Sequence, residues 1–312
     1  MNAKKVNKIM SFSLLLLAAM IWGFAFSAQK SAEIVPVFTI GVTRSLFASL
    51  FLLLVIVIFD KINHTGRRLF SKKGIDVNKF ELIGGAICGA VLALASFFQQ
   101  SGINNGTGPG KASFITALYV VLVPIYAVFL KKRAPLNVWI SILIAVVGFY
   151  LLCIEGDFSI VISDALVLIS SLIFPIHILA IDRFSPKCDG VRMSLVQFVV
   201  CTFTNLVFAL IFERGTPISV VVDAIFPLIF LGIGSSGIAY TLQIIGQKGV
   251  NPAAASIIMS LESVFGVLGS AIFLSEVMEG REYIGCVIVF AAVILSQIDF
   301  KLLLKSKTEK PR

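Results

Sequence analysis

Charge is what this sequence has least of. Only 14% of its 312 residues are charged, 17 acidic and 26 basic, with two histidines beside them. A soluble domain spends about a quarter of its residues on charge to cover its surface. A chain that is 58% hydrophobic, with a mean hydropathy of +0.99, cannot present that composition to water. Cysteine is scarce too, and Cys88, Cys153, Cys188, Cys201 and Cys286 are odd in number and scattered, which excludes a disulfide framework and offers no metal spacing. There is no HExxH pair and no serine elbow. GTGPGKAS from Gly106 fails as a phosphate loop, because Asn105 stands where its first glycine belongs and Ala112 where a hydroxyl should hold magnesium. Enzymatic chemistry, metal, cofactor and nucleotide thus find no foothold.

What the chain has instead is length without charge. Uncharged runs cover 9–29, 45–59, 82–110, 112–130, 134–154, 165–181, 193–212, 224–247 and 283–298, and two more flank Glu262 to make one span broken by a single charge. About 20 apolar residues at ~1.5 Å each cross the ~30 Å hydrocarbon of a bilayer, and only helices satisfy their own backbone there. With Arg44 inside the second span, the pattern predicts an all-α polytopic membrane protein of ten transmembrane helices. Met1–Gln29 starts like a signal peptide, but nine further spans argue for an uncleaved first helix.

The formal net charge of +9 is a matter of topology. With the N-terminus inside, 21 Lys and Arg fall on the cytoplasmic side and four on the other (Lys30, Lys111, Arg214, Arg281), leaving Arg44 in the membrane. That bias predicts a multi-pass protein of the plasma (inner) membrane with both termini cytoplasmic, and no nucleic-acid partner. The sequon Asn63-His64-Thr65 then faces the cytoplasm, where it is not glycosylated.

The chain also resembles itself. GPGKASFI from Gly108 aligns with NPAAASII from Asn251, and after a one-residue gap VFLKKRAPLNVWISILIAVVGFYLL from Val128 aligns with IFLSEVMEGREYIGCVIVFAAVILS from Ile272. More weakly, the first span around Trp22 matches the sixth around Phe174, and the region of Arg44 that of Gln197. The unit is five helices, 1–155 and then 156–312. An odd number makes the second copy enter the bilayer from the opposite side, so the repeats are inverted, as in secondary transporters with a midplane site.

WGFAFSAQK from Trp22, Arg44, FFQQSGINNGTGPGKASFITALYVVLVP from Phe97 and IAYTLQIIGQKGVNPAAASIIMSLESVFGVLGSAIFLSE from Ile238 together resemble the EamA-type transporters of the drug/metabolite transporter superfamily. The resemblance covers nearly the whole chain. It implies ten helices, with the fifth and tenth outside a central cavity, and transport of an amino acid or related metabolite, in the efflux direction. One departure is Lys131-Lys132-Arg133, standing where the second half has Ser275-Glu276 and the family often an acidic residue; here it reads as an orientation signal.

Polar groups inside apolar spans are the candidate site. Glu262 either binds a substrate amine, carries a coupling proton, or anchors neighbouring hydroxyls and helix ends. Arg44 either lines the cavity for an anionic group, snorkels outward or sits in a fixed ion pair. His177, after Pro175, suits a proton relay or a bundle hydrogen bond. Gln99, Gln100, Gln243 and Gln247 line a polar cavity or tie helices together. Trp22, Tyr119 and Tyr240 make an aromatic wall or pack. Gly85 and Gly89 (GxxxG), and Gly232, Gly234 and Gly237 of GIGSSG, are read as thin packing edges rather than a dinucleotide loop, which needs a preceding strand. Pro109, Pro124, Pro175 and Pro252 are expected kink points. A small-molecule substrate and the lipid bilayer are the expected partners, with a coupling proton and a homodimer left open. A nucleotide-sugar-like anion as cargo, and a non-transporting scaffold or receptor, remain as rival readings.

Overall fold

The computed structural model describes residues 7–62, 69–71, 74–132, 134–153, 161–273 and 280–297. The sequon Asn63-His64-Thr65, the Ser275-Glu276 pair and the basic tail from Lys301 lie outside them. Among the described residues, eight helical spans are long and apolar enough to cross a membrane: Lys8–Ser31 (α1), Val37–Ile62 (α2), Lys79–Asn104 (α3), Pro109–Phe129, Ile162–Lys187, Gly190–Phe212 (α8), Ile225–Gly249 and Pro252–Phe273. Two shorter apolar helices, Leu136–Cys153 (α6) and Gly280–Gln297 (α14), accompany them. The remaining regular structure includes a two-residue ribbon, Phe70–Ser71 with Gly74–Ile75, between α2 and α3. The chain is a polytopic all-α membrane protein.

Local chemistry explains where the helices start. Asn78 accepts from Glu81 N while Glu81 accepts from Asn78 N, both at 2.8 Å, a reciprocal cap that opens α3. Asp189 caps α8 through Val191 N and Arg192 N. Pro109 and Pro252 occupy first-turn positions, where their missing N–H costs nothing, so they open helices instead of kinking them as expected. Pro124 and Pro175 do lie inside helices.

Three spans are irregular. The span from Pro109 is α4 (Pro109–Ala117) and α5 (Tyr119–Phe129), broken at Leu118; the span from Pro252 is α12 (Pro252–Met259) and α13 (Glu262–Phe273), broken at Ser260 and Leu261. Each break tightens to a three-residue closure, Leu118 N onto Ile115 O and Leu261 N onto Ile258 O. The span Ile225–Gly249 runs through α10 (Ile225–Ile229), a ten-residue π-helix, Phe230–Ala239, and α11 (Tyr240–Gly246). GIGSSG is therefore wider-wound than an α-helix, which composition does not reveal.

The packing inverts the soluble pattern, as lipid requires. On α2, Leu46, Leu50, Leu54 and Ile58 face outward while Arg44, Ser45 and Ser49 are buried. The main partnerships are α3 with α7 (Ile162–Phe184) and α8, α2 with α8 and the π-containing span, α6 with α14, α1 with the π-containing span and α13, and α4 and α5 with α7.

Small residues set the approach distances. A Cβ on Gly85 would meet Val196 Cβ at 2.6 Å, one on Gly89 would meet Gln197 O at 2.5 Å, and one on Gly232 would meet Phe47 Cβ at 2.5 Å. Gly237 abuts Phe51, and Gly234 the ring of Phe230 in its own helix. Replacing Gly89 by Val is expected to cost about 1–3 kcal/mol through overpacking of α3 on α8. The check is the unfolding midpoint in detergent; an unchanged midpoint would show that this approach does not hold the two helices.

Candidate functional site

A small, partly open cavity lies among these spans. Its wall takes Trp22, Ala25, Phe26 and Gln29 from α1, Arg44 from α2, Gln99 from α3, Thr116 and Tyr119 from the first broken span, and Phe174, His177 and Ile178 from α7. Ser235, Tyr240 and Gln243 come from the π-containing span, Met259 and Glu262 from the second broken span. All eight residues singled out from sequence as cavity candidates (Trp22, Arg44, Gln99, Tyr119, His177, Tyr240, Gln243, Glu262) meet there. No lining residue comes from α6, α8 or α14.

Arg44 is 9% exposed and does not snorkel. Its Nε donates to Ser236 Oγ at 3.1 Å and its Nη2 to Ser235 Oγ at 3.2 Å. The Ser235 carbonyl accepts from Trp22 Nε1 at 3.1 Å. GIGSSG is thus more than a packing edge, since its π-winding turns two hydroxyls to a buried guanidinium. A buried cation is tolerated only when its donors find acceptors.

Glu262 opens α13 and is 5% exposed. Its Oε1 makes no well-formed hydrogen bond, and neither does the Tyr119 hydroxyl that faces the carboxyl. No ion pair joins Arg44 to Glu262: the cation and the carboxyl share a cavity but are held apart.

The amides divide. Gln29 Nε2 donates to Gln99 Oε1 at 3.1 Å, and Gln99 Nε2 donates to Thr116 Oγ1 at 3.0 Å, a polar rail on the cavity wall. Gln100 and Gln247 bond backbone carbonyls of neighbouring helices, Gln29 O and Ile178 O, and tie spans together. His177 Nε2 meets Gln197 Oε1 at 3.0 Å, inside the bundle. Tyr240 is central to the apolar side, 4.7 Å from the Trp22 ring and edge-on to His177 at 5.6 Å. Sequence reasoning missed Gln29, Thr116 and Ser235; the amide sits one residue before Lys30, and hydroxyls are too frequent in membrane helices to stand out.

The chamber brings together a guanidinium, a carboxyl, an amide rail and an aromatic wall. Among the described residues no group of His, Cys, Asp and Glu could hold a metal. Changing Ser235 and Ser236 together to Ala is expected to lower stability by about 3 kcal/mol, since hydrogen bonds to charged groups contribute ~1.5–3 kcal/mol each and the guanidinium would lose two acceptors. Chemical denaturation of the double variant against each single one checks this, and equal stability would show that the serines do not hold Arg44.

The chain is 28% identical over 300 residues to an uncharacterized transporter of Archaeoglobus fulgidus, covering 94% of this chain and 88% of that one. It is 30% identical over 113 residues to an uncharacterized transporter of Haemophilus influenzae, covering 36% of this chain and 66% of that relative. A solved crystal structure of a protein shares the fold, with a TM-score of 0.74 and 16% identity over 97% of this chain and all of the other. The model of the EamA-like transporter family matches twice, over residues 9–154 and again over 161–297. Matched by that family in both halves and similar over nearly its whole length to a relative named as a transporter, this multi-pass bundle is a membrane transporter, and the chain belongs to the EamA-like transporter family.

Proposed function

We propose that this chain is a secondary transporter that moves a small organic metabolite by alternating access between two inverted five-helix repeats, 1–155 and 156–312. The observation that carries the reading is that the packing survives exchange of the halves. Exchange turns α3 on α7 into the π-containing span on α1, α4 and α5 on α7 into α12 and α13 on α1, and leaves α2 on α8 and α6 on α14 in place; all these partnerships exist.

The ends of α2 and α8 support it in detail. Aligning Arg44 with Gln197 carries Asp60 onto Glu213 and Thr39 onto Arg192. Asp60, at the end of α2, takes Arg192 Nη2 at 2.8 Å with both oxygens, at the start of α8. Glu213, just past the end of α8, takes Phe38 N at 2.8 Å and Thr39 N at 2.7 Å, at the start of α2. The same acidic latch stands at opposite ends of the bundle.

Ten alternating crossings with both termini in the cytoplasm also put the partners of each ion pair on one side. Asp60 with Arg192 and Lys132 with Asp182 fall inside, and Lys111 with Asp164, at 2.5 Å, falls outside. An amino acid or related compound, exported across the plasma membrane and driven by an ion gradient, suits a chamber with one cation and one carboxyl better than a polyanion does. The protein is non-enzymatic in this reading.

A cytoplasm-active reporter fused after Arg312 is expected to work; activity only of an export-active reporter there would overturn the topology. In a thermal-stability screen against metabolites, a cargo at a hundredfold excess over Kd adds about 2.7 kcal/mol. Glu262→Gln is expected to abolish that gain and to flatten the pH dependence of flux in vesicles. A full response in the variant would remove Glu262 from the site, and a folded protein with neither stabilisation nor flux would remove transport.

A further inference from the structure

The repeat places two residues of the chamber in register. The offset that takes Ser113 of GPGKASFI onto Ser256 of NPAAASII takes Tyr119 onto Glu262. Each is the first residue of the second piece of its broken span, α5 and α13. The pieces cross there: α4 packs on α13, α5 packs on α12, and Ser263 Oγ donates to Ser113 O at 3.0 Å across the join. Exchange of the halves therefore swaps Tyr119 with Glu262, and their meeting point lies on the pseudo-two-fold axis. Groups off an axis pass from one mouth to the other when two halves rock. A group on it stays in the chamber wall whichever side is open.

The two side chains that occupy this point are incomplete. Tyr119 is 4% and Glu262 5% exposed, they face one another, and the tyrosine hydroxyl and carboxyl Oε1 both lack a well-formed hydrogen bond. A carboxylate out of water demands a cation or a proton. The helices packed on α13 supply neither: on α1, Lys8 is exposed and Lys30 pairs with Glu33; on α4, Lys111 pairs with Asp164; on α6, Tyr150 faces outward. Around the chamber, Tyr240 faces the carboxyl, Arg44 is held by serines and His177 is met by Gln197.

Resting on the alternating-access reading, we propose that Tyr119 and Glu262 are two halves of one axial cation site, in which Glu262 supplies the charge and Tyr119 the orienting hydroxyl in both the inward-facing and outward-facing states. The cation is a proton or an ammonium group of the cargo, which are alike to a carboxylate. Tyr119 is a positioning residue.

The test exchanges the roles. Full-length protein in lipid is titrated by infrared difference spectroscopy, which reads the carboxylic C=O band without any cargo. Glu262→Gln should delete one band, and the double swap Tyr119→Glu with Glu262→Tyr should restore it, because the carboxyl returns to the same point from the other half. Tyr119→Phe should keep the band but displace its pH midpoint by about one unit. Methylammonium separates the two cations: a midpoint that shifts with its concentration identifies a site shared with cargo, and one that does not identifies a proton site. In vesicles loaded with an L-amino-acid mixture, Glu262→Gln should lose about tenfold or more in flux and the swap should recover most of it. A folded swap variant without the band, a band intact in Glu262→Gln, or an unmoved midpoint in Tyr119→Phe overturns the site. If the swap does not fold, the two single variants decide it alone. Wild type that shows the band and carries no flux refutes the transport reading and leaves the site standing.

Discussion

Two helices that break where they cross organise this molecule. The Pro109–Phe129 and Pro252–Phe273 spans each give up helical regularity part-way along, and each break is closed by three-residue turns, Leu118 N onto Ile115 O and Leu261 N onto Ile258 O. Broken backbone is tolerated at membrane depth only where it is buried in protein or faces a cavity. The crossing therefore fixes where the chamber is, and α1, α7 and the π-containing span close around it. With α6 and α14 paired outside, these two helices contribute nothing to the chamber wall.

The same constraint explains how the charges are handled. Without water, Arg44 needs acceptors from protein, and it finds them in the hydroxyls of Ser235 and Ser236. A π-helix is rare and costs stability, so its occurrence over ten residues at GIGSSG calls for a local cause. Glycines at 232, 234 and 237 permit the winding and the close approach to Phe47 and Phe51, and Ser235 and Ser236 then reach the guanidinium. Packing and polar satisfaction are met by one segment. Glu262 is faced by the Tyr119 hydroxyl alone and keeps its Oε1 without a well-formed hydrogen bond, and that difference separates a cation held by two serines from a carboxyl less fully satisfied.

How much of this could be read from sequence follows from the solvent. In an apolar chain a lone carboxylate, guanidinium or imidazole is conspicuous, so Glu262, Arg44 and His177 declare themselves, and the amides and large rings nearly so. The expected helix count follows from length and charge; among the described residues eight spans are long and apolar enough to cross, and α6 and α14 border residues outside them. Three features left no mark in composition. Winding of the π-segment depends on tertiary contacts, Pro109 and Pro252 read as kinks until their place in the first turn is seen, and the division of Gln99 and Gln243 from Gln100 and Gln247 depends on a helix rotation that four adjacent apolar faces leave undetermined. Gln29, Thr116 and Ser235 needed the fold because their polarity is ordinary and only their convergence is informative.

On the inverted-repeat reading, exchange symmetry is also incomplete. Asp60 and Glu213 make equivalent latches at the two ends of the α2–α8 pair. Lys111 and Asp164 have no such twin, because exchange carries Lys111 onto Ala254 and, through the match of Trp22 with Phe174, Asp164 onto Phe12. One end of the bundle is thus joined by an ion pair reinforced by Thr107, and the corresponding positions at the other end are apolar. Perfectly equal halves would make the two packings equal in energy. In the alternating-access reading proposed above, the shared backbone pattern would make both packings available, and unequal side chains at the two ends would set how far the equilibrium leans toward one of them.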